Sequence, residues 1–249
     1  MRGGVLAHLN EGGETSQRRF YYEPDVAVIS NEGERFISIS IGSGWRAHPL
    51  DEITQDKFYM IRSSHLFTAP PGYGKTTDGG FTYEPITESD LIDVTYDLNA
   101  PTNKYGWAYD LQRSGEKVLG TALTANNQVI FSTYRPAANV GHCSPAIGSG
   151  ALYAVSVLNG APVNNLSQDG DSNQNTEALT EEDRSIDLVH GGIPPEPALL
   201  ITEAGPTLLA GPEQPFDPNL DDLTRRTYWI DKGQTLDQLN QASSESATD

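Results

Sequence analysis

Short runs of alternating apolar and polar residues, arranged in hairpins, constrain this chain more than any other sequence feature. Residues 25–30 and 35–41 are two such runs, residues 31–34 form a polar turn between them, and a third run follows at residues 57–62. Apolar residues at every second position are typical of strands with one buried face. The three runs therefore predict an antiparallel meander.

The same order of strands recurs further along the chain. Residues 117–123 and 128–134 form a second predicted hairpin, and residues 151–157 follow after an excursion. A third, fainter copy runs through residues 197–201, 206–210 and 226–230. Repeated strand clusters of this kind are typical of propeller blades. The first two copies are about 95 residues apart, wider than the roughly 40–50 of a compact blade, so residues 91–98 and 105–111 are expected to supply strands between them.

We therefore expect an all-β fold, a partial β-propeller of about three to four blades of antiparallel strands with quinoprotein-like repeats and long polar loops. The 24 Gly and 16 Pro residues favour short strands and turns over long helices. The propeller-like domain is expected to cover residues 1–232 and to be part of a larger ring, because a closed propeller has about 4–8 blades. Residues 233–249 predict a polar, disordered tail. A capping-box-like sequence at residues 180–183 predicts one short turn of helix that ends at Gly191 and Gly192.

The charge balance limits the partners that the chain can bind. It has 16 Lys and Arg against 34 Asp and Glu, a net charge of -18, which repels phosphate backbones, so nucleic acid is not an expected partner. The single cysteine, Cys143, excludes an intrachain disulfide and a Cys-x-x-Cys pair. No run approaches the roughly 18 apolar residues of a membrane span, and no signal peptide is visible at the N-terminus. Taken alone, these features predict a cytoplasmic chain, unless it is a fragment of a longer one.

An acidic loop is the candidate metal site. Five oxygen-bearing residues occupy alternate positions in it, namely Asp169, Asp171, Asn173, Asn175 and Glu177. This spacing lets a tightly turned loop direct its oxygens at one hard cation such as Ca²⁺. Gln174 stands where such loops have a turn glycine, so a solvated polar loop is the alternative.

Motifs for enzymatic chemistry are weak. Residues 69–76 end like a phosphate-binding loop, but Ala69 occupies the first glycine position and no helix pattern follows. The five His residues are scattered, and no Gly-x-Ser-x-Gly elbow accompanies them. We therefore predict no catalytic residues. Trp45 and Arg46 are expected to lock a corner between strands, through ring burial and guanidinium bonds to backbone carbonyls.

The most distinctive run is residues 41–51, Ile-Gly-Ser-Gly-Trp-Arg-Ala-His-Pro-Leu-Asp, followed by residues 54–62. This run resembles the C-terminal β-propeller region of the PilC/PilY family of type IV pilus tip-associated proteins. The other segments that share the resemblance, in chain order, are residues 18–26, 106–111, 115–119, 129–134, 152–155 and 191–197. The resemblance covers roughly residues 1–232, and the family's longer members carry a signal peptide and an N-terminal adhesive region.

The resemblance implies a non-enzymatic, calcium-binding protein of the cell surface or pilus that supports pilus assembly and surface attachment. Its implied partners are pilin subunits or minor pilins, the remaining blades of a longer parent chain, and a host or abiotic surface.

Two alternatives remain open. The pattern of residues 117–134 and 152–160 also resembles the repeats of quinoprotein dehydrogenases, which bind pyrroloquinoline quinone. The second alternative is a non-functional fragment encoded by a truncated gene. In that case open strand edges would promote aggregation.

Overall fold

The computed structural model describes residues 5–10, 13, 17–65, 72, 76–77, 80–81, 84–137, 147–167, 179–202 and 205–216. Within these ranges the chain is all-β, as expected, with two 3₁₀ turns at Glu88–Asp90 and Glu181–Arg184. In chain order the strands are β1 Ala7–His8, β2 Asp25–Asn31, β3 Glu34–Gly42, β4 Lys57–Ser63, β5 Thr76–Thr77, β6 Gly80–Phe81, β7 Ile86–Thr87, β8 Ile92–Asp93, β9 Gly106–Asp110, β10 Lys117–Val118, β11 Leu123–Ala125, β12 Gln128–Arg135, β13 Ser149–Ser156, β14 Ser185–Asp187, β15 Pro197–Thr202 and β16 Gly205–Ala210.

The first large sheet contains the predicted meander and has the order β2-β3-β4-β9-β8. Its first four strands are antiparallel, and β8 adds to the edge in parallel. The hairpin between β2 and β3 turns through Glu32 and Gly33, both with positive φ, at 48° and 87°. Two such residues make the tight turn whose twist matches that of the flanking strands.

The second large sheet has the order β10-β12-β13-β14, and β11 pairs with the same strand as β10. The predicted strand 117–123 is thus interrupted, because residues 119–122 leave the ladder between the two pairings Lys117↔Tyr134 and Leu123↔Ile130. β12 and β13 pair over eight positions, from Gln128↔Ser156 to Arg135↔Ser149. This hairpin forms the centre of the second sheet.

Aromatic side chains join the two large sheets face to face. The rings of Phe58 and Phe131 stack with centroids 3.8 Å apart and planes 8° apart, and Tyr153 stacks on Phe131 at 4.9 Å. The Trp107 indole N–H donates to the Val157 carbonyl oxygen at 3.1 Å. These residues belong to one continuous buried cluster drawn from both sheets.

Apolar residues also cover part of the opposite face of each sheet. On the first sheet, Tyr59 and Ile61 of β4 pack with three residues from outside its antiparallel strands. These are Leu9 after β1, Ile86 in β7 and Leu91 just before β8. On the second sheet, a separate cluster includes residues of the hairpin β15–β16, and its buried members are Ile130, Leu152, Ala154, Leu166, Leu188, Leu208 and Ala210. The described part of the chain is therefore a stack of layers with three apolar interfaces.

Two secondary-structure predictions need correction. The capping-box sequence does start a helical turn, but the turn ends at Arg184, and β14 follows because the edge of β13 is open to pairing at Leu152↔Ile186. In the segment 91–98, only Ile92–Asp93 is a strand.

The sheets in the described ranges are separate and open, so the structure shows an all-β fold of several sheets and not the ring of a propeller. Residues 226–230 and the predicted tail 233–249 lie outside the described residues. The described helical elements are too short and too polar to cross a membrane.

Replacing Phe131 with Ala is expected to lower the free energy of unfolding by about 3–5 kcal/mol, because it removes a ring stacked between two sheets and leaves a cavity. Val28→Ala is the matched control, since Val28 is 64% exposed and its loss should cost less than about 0.5–1 kcal/mol. Urea denaturation of both variants measures the difference, and equal losses would contradict the interlayer role of Phe131.

Candidate functional site

A polar cleft of about 580 Å³ opens where the two large sheets meet. Tyr109 of the first sheet and Tyr153 of the second form part of its wall, with ring centroids 5.9 Å apart. The remaining lining residues are mostly polar: Thr95, Gln112, Arg113, Leu166, Ser167, Glu181, Glu182, Ser185, Ile186 and Asp187. Three exposed carboxylates, those of Glu181, Glu182 and Asp187, make the cleft acidic.

Glu116 lies beneath this cleft and is only 2% exposed. Its Oε1 accepts hydrogen bonds from the Thr133 hydroxyl at 2.6 Å and the Tyr153 hydroxyl at 3.0 Å. Burial, and then the neighbouring Glu116, raise the pKa of Tyr153 well above its ordinary value. Tyr153 therefore stays protonated and serves as a donor that fixes the Glu116 carboxylate.

Arg113 links the buried Glu116 to the rim of the cleft. Its Nη1 lies 2.7 Å from Asp187 Oδ1 and 4.0 Å from Glu116 Oε1. Burial alone would lower the pKa of Arg113, but Tyr153, Glu116 and Asp187 outweigh it and raise the pKa. The guanidinium is a permanent cation that offsets part of the local negative charge.

Arg184 fixes the walls of the cleft from within. Its guanidinium is buried and donates to three backbone carbonyl oxygens, those of Gly160 at 2.9 Å, Thr95 at 2.7 Å and Val94 at 2.7 Å. Burial lowers the pKa of Arg184 from its ordinary value, but such a group remains charged at neutral pH. A single side chain thus ties together three segments that are distant in sequence.

Asp183 holds the two ends of the predicted calcium loop. Its Oδ1 accepts from the Ser167 hydroxyl at 2.6 Å, and its Oδ2 accepts from the Thr180 amide at 2.6 Å. Burial acts to raise the pKa of Asp183, but the bonds from Ser167 and Thr180 outweigh it and lower the pKa. Ser167 and Thr180, which flank the predicted loop in sequence, therefore meet at one carboxylate.

The predicted metal ligands, Asp169, Asp171, Asn173, Asn175 and Glu177, lie outside the described residues. Among the residues that are described, no group of three or more His, Cys, Asp and Glu side chains has the arrangement to hold a metal ion. The calcium expectation stays a prediction.

A second buried polar cluster lies at the corner formed by the distinctive run 41–51. The Ser43 hydroxyl donates to Asp56 Oδ1 at 2.6 Å and accepts from the Lys57 amide at 2.9 Å. The Ser43 carbonyl oxygen also accepts from the Val118 amide at 2.9 Å, which joins this corner to the second sheet. Ser43 thus connects both large sheets.

Lys117 is the cation of this corner and is fully buried. Its ammonium donates to the carbonyl oxygens of Asp51, at 2.8 Å, and of Gly115. Asp56 Oδ2 is buried with no hydrogen-bond partner, and burial raises the pKa of Asp56 to about 6, against the Ser43 bond and the charge of Lys117. The carboxyl group of Asp56 therefore loses its proton near pH 6, well above the ordinary pKa of 3.8.

The predicted roles of Trp45 and Arg46 hold only in part. Trp45 is half-buried, and the Arg19 guanidinium lies 3.8 Å from its ring centroid. The prediction for Arg46 is wrong, because its side chain is exposed. The buried arginine of this region is Arg18, which donates to the Gln55 carbonyl oxygen at 2.9 Å and pairs with Glu88. Arg18 thus has a half-buried carboxylate partner, as a buried cation requires.

Sequence patterns did not identify Glu116, Arg113, Tyr153 or Arg184 as site residues. One signal was available, the adjacent charges of Glu116 and Lys117 at the start of a predicted apolar strand. Charged residues are rarely buried without partners, so a charged pair at such a position indicates a buried polar cluster.

Comparison of the chain with models of known protein families finds no match, and comparisons with curated proteins and with solved structures find none either.

The raised pKa of Asp56 predicts a pH-dependent stability. Between the ordinary pKa of 3.8 and about 6, the folded state keeps a proton that the unfolded state has lost, so stability falls as the pH rises through this range. Asp56→Asn is neutral at every pH and should lack this fall, so its stability relative to the parent should increase by up to roughly 3 kcal/mol between pH 4 and pH 7. Glu23→Gln, at an exposed position, should show no such trend. Urea denaturation at each pH measures the effect, and parallel profiles for Asp56→Asn and the parent would disprove it.

Proposed function

We propose that this chain is part of a β-propeller in a type IV pilus tip-associated protein, which supports pilus assembly and attachment to a surface. The observation that carries the proposal is the repeated unit of the fold. Strands β2, β3, β4 and β9 form one antiparallel meander, and β10/β11, β12, β13 and β14 form the next. Four-stranded antiparallel sheets in series around a common core are the building blocks of propellers.

The packing of the repeated units supports the same proposal. The two meanders stack face to face, and the hairpin β15–β16 packs on the far side of the second as the start of a further unit. On the outer side of the first sheet, Val26 and Val28 remain 59% and 64% exposed. A stack that offers apolar residues at its end is suited to receive another blade from a longer parent chain.

The run that carries the family resemblance contributes to this packing. A Cβ atom at Gly42 would overlap the Val118 side chain, and one at Gly44 would overlap the Val118 carbonyl oxygen. Glycine at both positions lets the corner after β3 approach the second sheet closely. The resemblance at these residues thus coincides with a contact between successive sheets, as expected of a propeller signature.

The buried charges support a structural role over catalysis. Arg184 and Lys117 direct their donors at backbone carbonyl oxygens, and Glu116 accepts from Thr133 and Tyr153. Groups engaged in this way stabilise loops and strand ends. The protein is therefore proposed to act at the cell surface or pilus through binding, with pilin subunits or minor pilins, and a host or abiotic surface, as partners.

Calcium binding by residues 169–177 is part of the proposal. The two ends of the segment, Ser167 and Thr180, bond to opposite oxygens of Asp183. Binding of a cation costs less conformational entropy in a loop whose two ends are already held together. The rigid acidic cleft beside these ends adds a favourable field for a divalent cation.

Ca²⁺ is expected to raise the stability of the purified chain, by about 2.7 kcal/mol at a concentration 100-fold above its dissociation constant. Asp171→Asn should reduce the effect strongly, because it removes a charged ligand. Asp249→Asn is the control, since it also removes one negative charge but lies far from the loop in sequence. Thermal unfolding with Ca²⁺ or Mg²⁺ measures the shifts. An unchanged melting temperature, or equal shifts in both variants, would count against a calcium site in this loop.

Deleting the gene that encodes this chain is expected to reduce the number of surface pili or the attachment of cells. Pili counted by electron microscopy and adherent cells counted after washing measure both effects. The unaltered gene and Ile53→Ala, at a position that is 67% exposed and belongs to none of the proposed contacts, should restore them. Phe131→Ala should restore them less because it weakens the core. Normal piliation and normal attachment in the deletion strain would overturn the proposal.

A further inference from the structure

A second groove, of about 610 Å³, lies at one end of the first large sheet. It is formed where β3 begins, where β4 ends, and in the segment that leads into β9, which the antiparallel order brings to the same end of the sheet. Its lining residues are Glu34, Arg35, Arg62, Ser64, Thr102, Asn103 and Lys104. Three neighbouring connections thus meet in one concave surface.

The charge of this groove is opposite to that of the protein. Arg35, Arg62 and Lys104 face one carboxylate, that of Glu34, in a chain with a net charge of -18. The other polar lining side chains include the exposed hydroxyl groups of Ser64 and Thr102, which can donate hydrogen bonds. Donors and cations therefore dominate the groove, which is the composition that an oxyanion requires.

Arg62 is held in place before any ligand arrives. Its Nη2 lies 2.7 Å from Glu34 Oε2, and its guanidinium carbon lies 4.1 Å from the centroid of the Phe36 ring. Lys104 is anchored more loosely, with its Nζ 4.9 Å from the Tyr105 ring centroid. Arg35 and Lys104 are exposed, so their charged groups are accessible from solvent. The groove therefore combines one fixed guanidinium with two accessible cations, which is a partly preorganised binding arrangement.

We propose that this groove binds an oxyanion, namely a phosphate or sulfate group that is either a free ion or carried on an acidic polysaccharide. Guanidinium groups match the geometry of such anions through paired N–H donors, and the lysine adds a point charge. The acidic residues elsewhere on the protein do not prevent contact, because salt at physiological concentration screens charges beyond about 8 Å.

A nucleic acid fits this groove less well. Affinity for its backbone depends on several phosphate contacts along an extended basic surface, whereas the groove has three cations, one of them paired with Glu34. Single-stranded nucleic acids also need exposed aromatic rings for base stacking, and the ring beside the groove, Tyr105, is half-buried below Lys104. The chemistry therefore favours an isolated anionic group over a continuous phosphate backbone.

The test compares the full chain with the single variants Arg35→Glu and Lys104→Glu, and with Arg46→Glu as the matched control. Arg46 is also exposed but does not line the groove, so its reversal changes the net charge equally. Calorimetry at physiological salt, about 0.15 M, measures affinity for inorganic phosphate, dextran sulfate and a short DNA duplex. Circular dichroism checks that each variant is folded, and Arg35→Gln and Lys104→Gln replace any variant that is not.

Each groove variant is expected to lose about tenfold or more in affinity, with Arg46→Glu close to the parent. Binding of inorganic phosphate and dextran sulfate with similar affinity supports a free ion as ligand, and much tighter binding of dextran sulfate supports a polysaccharide carrier. No binding of either anion, or an equal loss in Arg46→Glu, would refute the site. Tighter binding of the DNA duplex than of dextran sulfate would refute the proposed ligand class.

Discussion

Stacking of Phe58 on Phe131 joins the two large sheets, and the orientation of every other layer depends on it. The two rings are fully buried with centroids 3.8 Å apart. Because side chains alternate along a strand, a Phe58 that points between the sheets turns Tyr59 to the opposite face, where the N-terminal segment covers it. In the same way Phe131 turns Ile130 toward the hairpin β15–β16. One contact between layers thus sets three apolar interfaces, and each sheet in such a stack needs a neighbour on both of its faces.

Buried cations have the second organising role in this strongly acidic chain. Arg184, Lys117 and Arg18 each donate to carbonyl oxygens of segments that are far away in sequence. Carbonyls at strand ends lack ladder partners and are costly to bury alone, so a guanidinium or ammonium that bonds several of them fixes the loops to the core. The acidic cleft gains its rigidity in this way. At the corner after β3, burial leaves one oxygen of Asp56 without a hydrogen-bond partner and raises the pKa of Asp56 to about 6. This corner is therefore sensitive to pH.

The candidate site shows where reasoning from the sequence reaches its limit. The capping-box pattern correctly predicted a helical turn that starts after Thr180, with Asp183 bonded back to Thr180, because that interaction is local, between residues three positions apart. Glu116 and Tyr153 are 37 positions apart and meet only because β10 and β13 flank β12 in one sheet. Arg184 meets Val94 across 90 positions. Pattern and spacing carry no information on such contacts. For the same reason the prediction named the exposed Arg46 as the residue that locks the corner and did not identify the buried Arg18.

The sequence by itself determined the all-β class, the main hairpins and the alternation that assigns each strand residue to a face, because these depend on local preferences and a period of two. It also determined the acidic character of the chain. The tertiary structure alone decided that residues 119–122 leave the ladder, that residues 185–187 form a strand, and which charged residues meet in the cleft and in the basic groove. These features depend on which strand edges and sheet faces become neighbours after packing, and that choice is set by long-range burial of apolar surface.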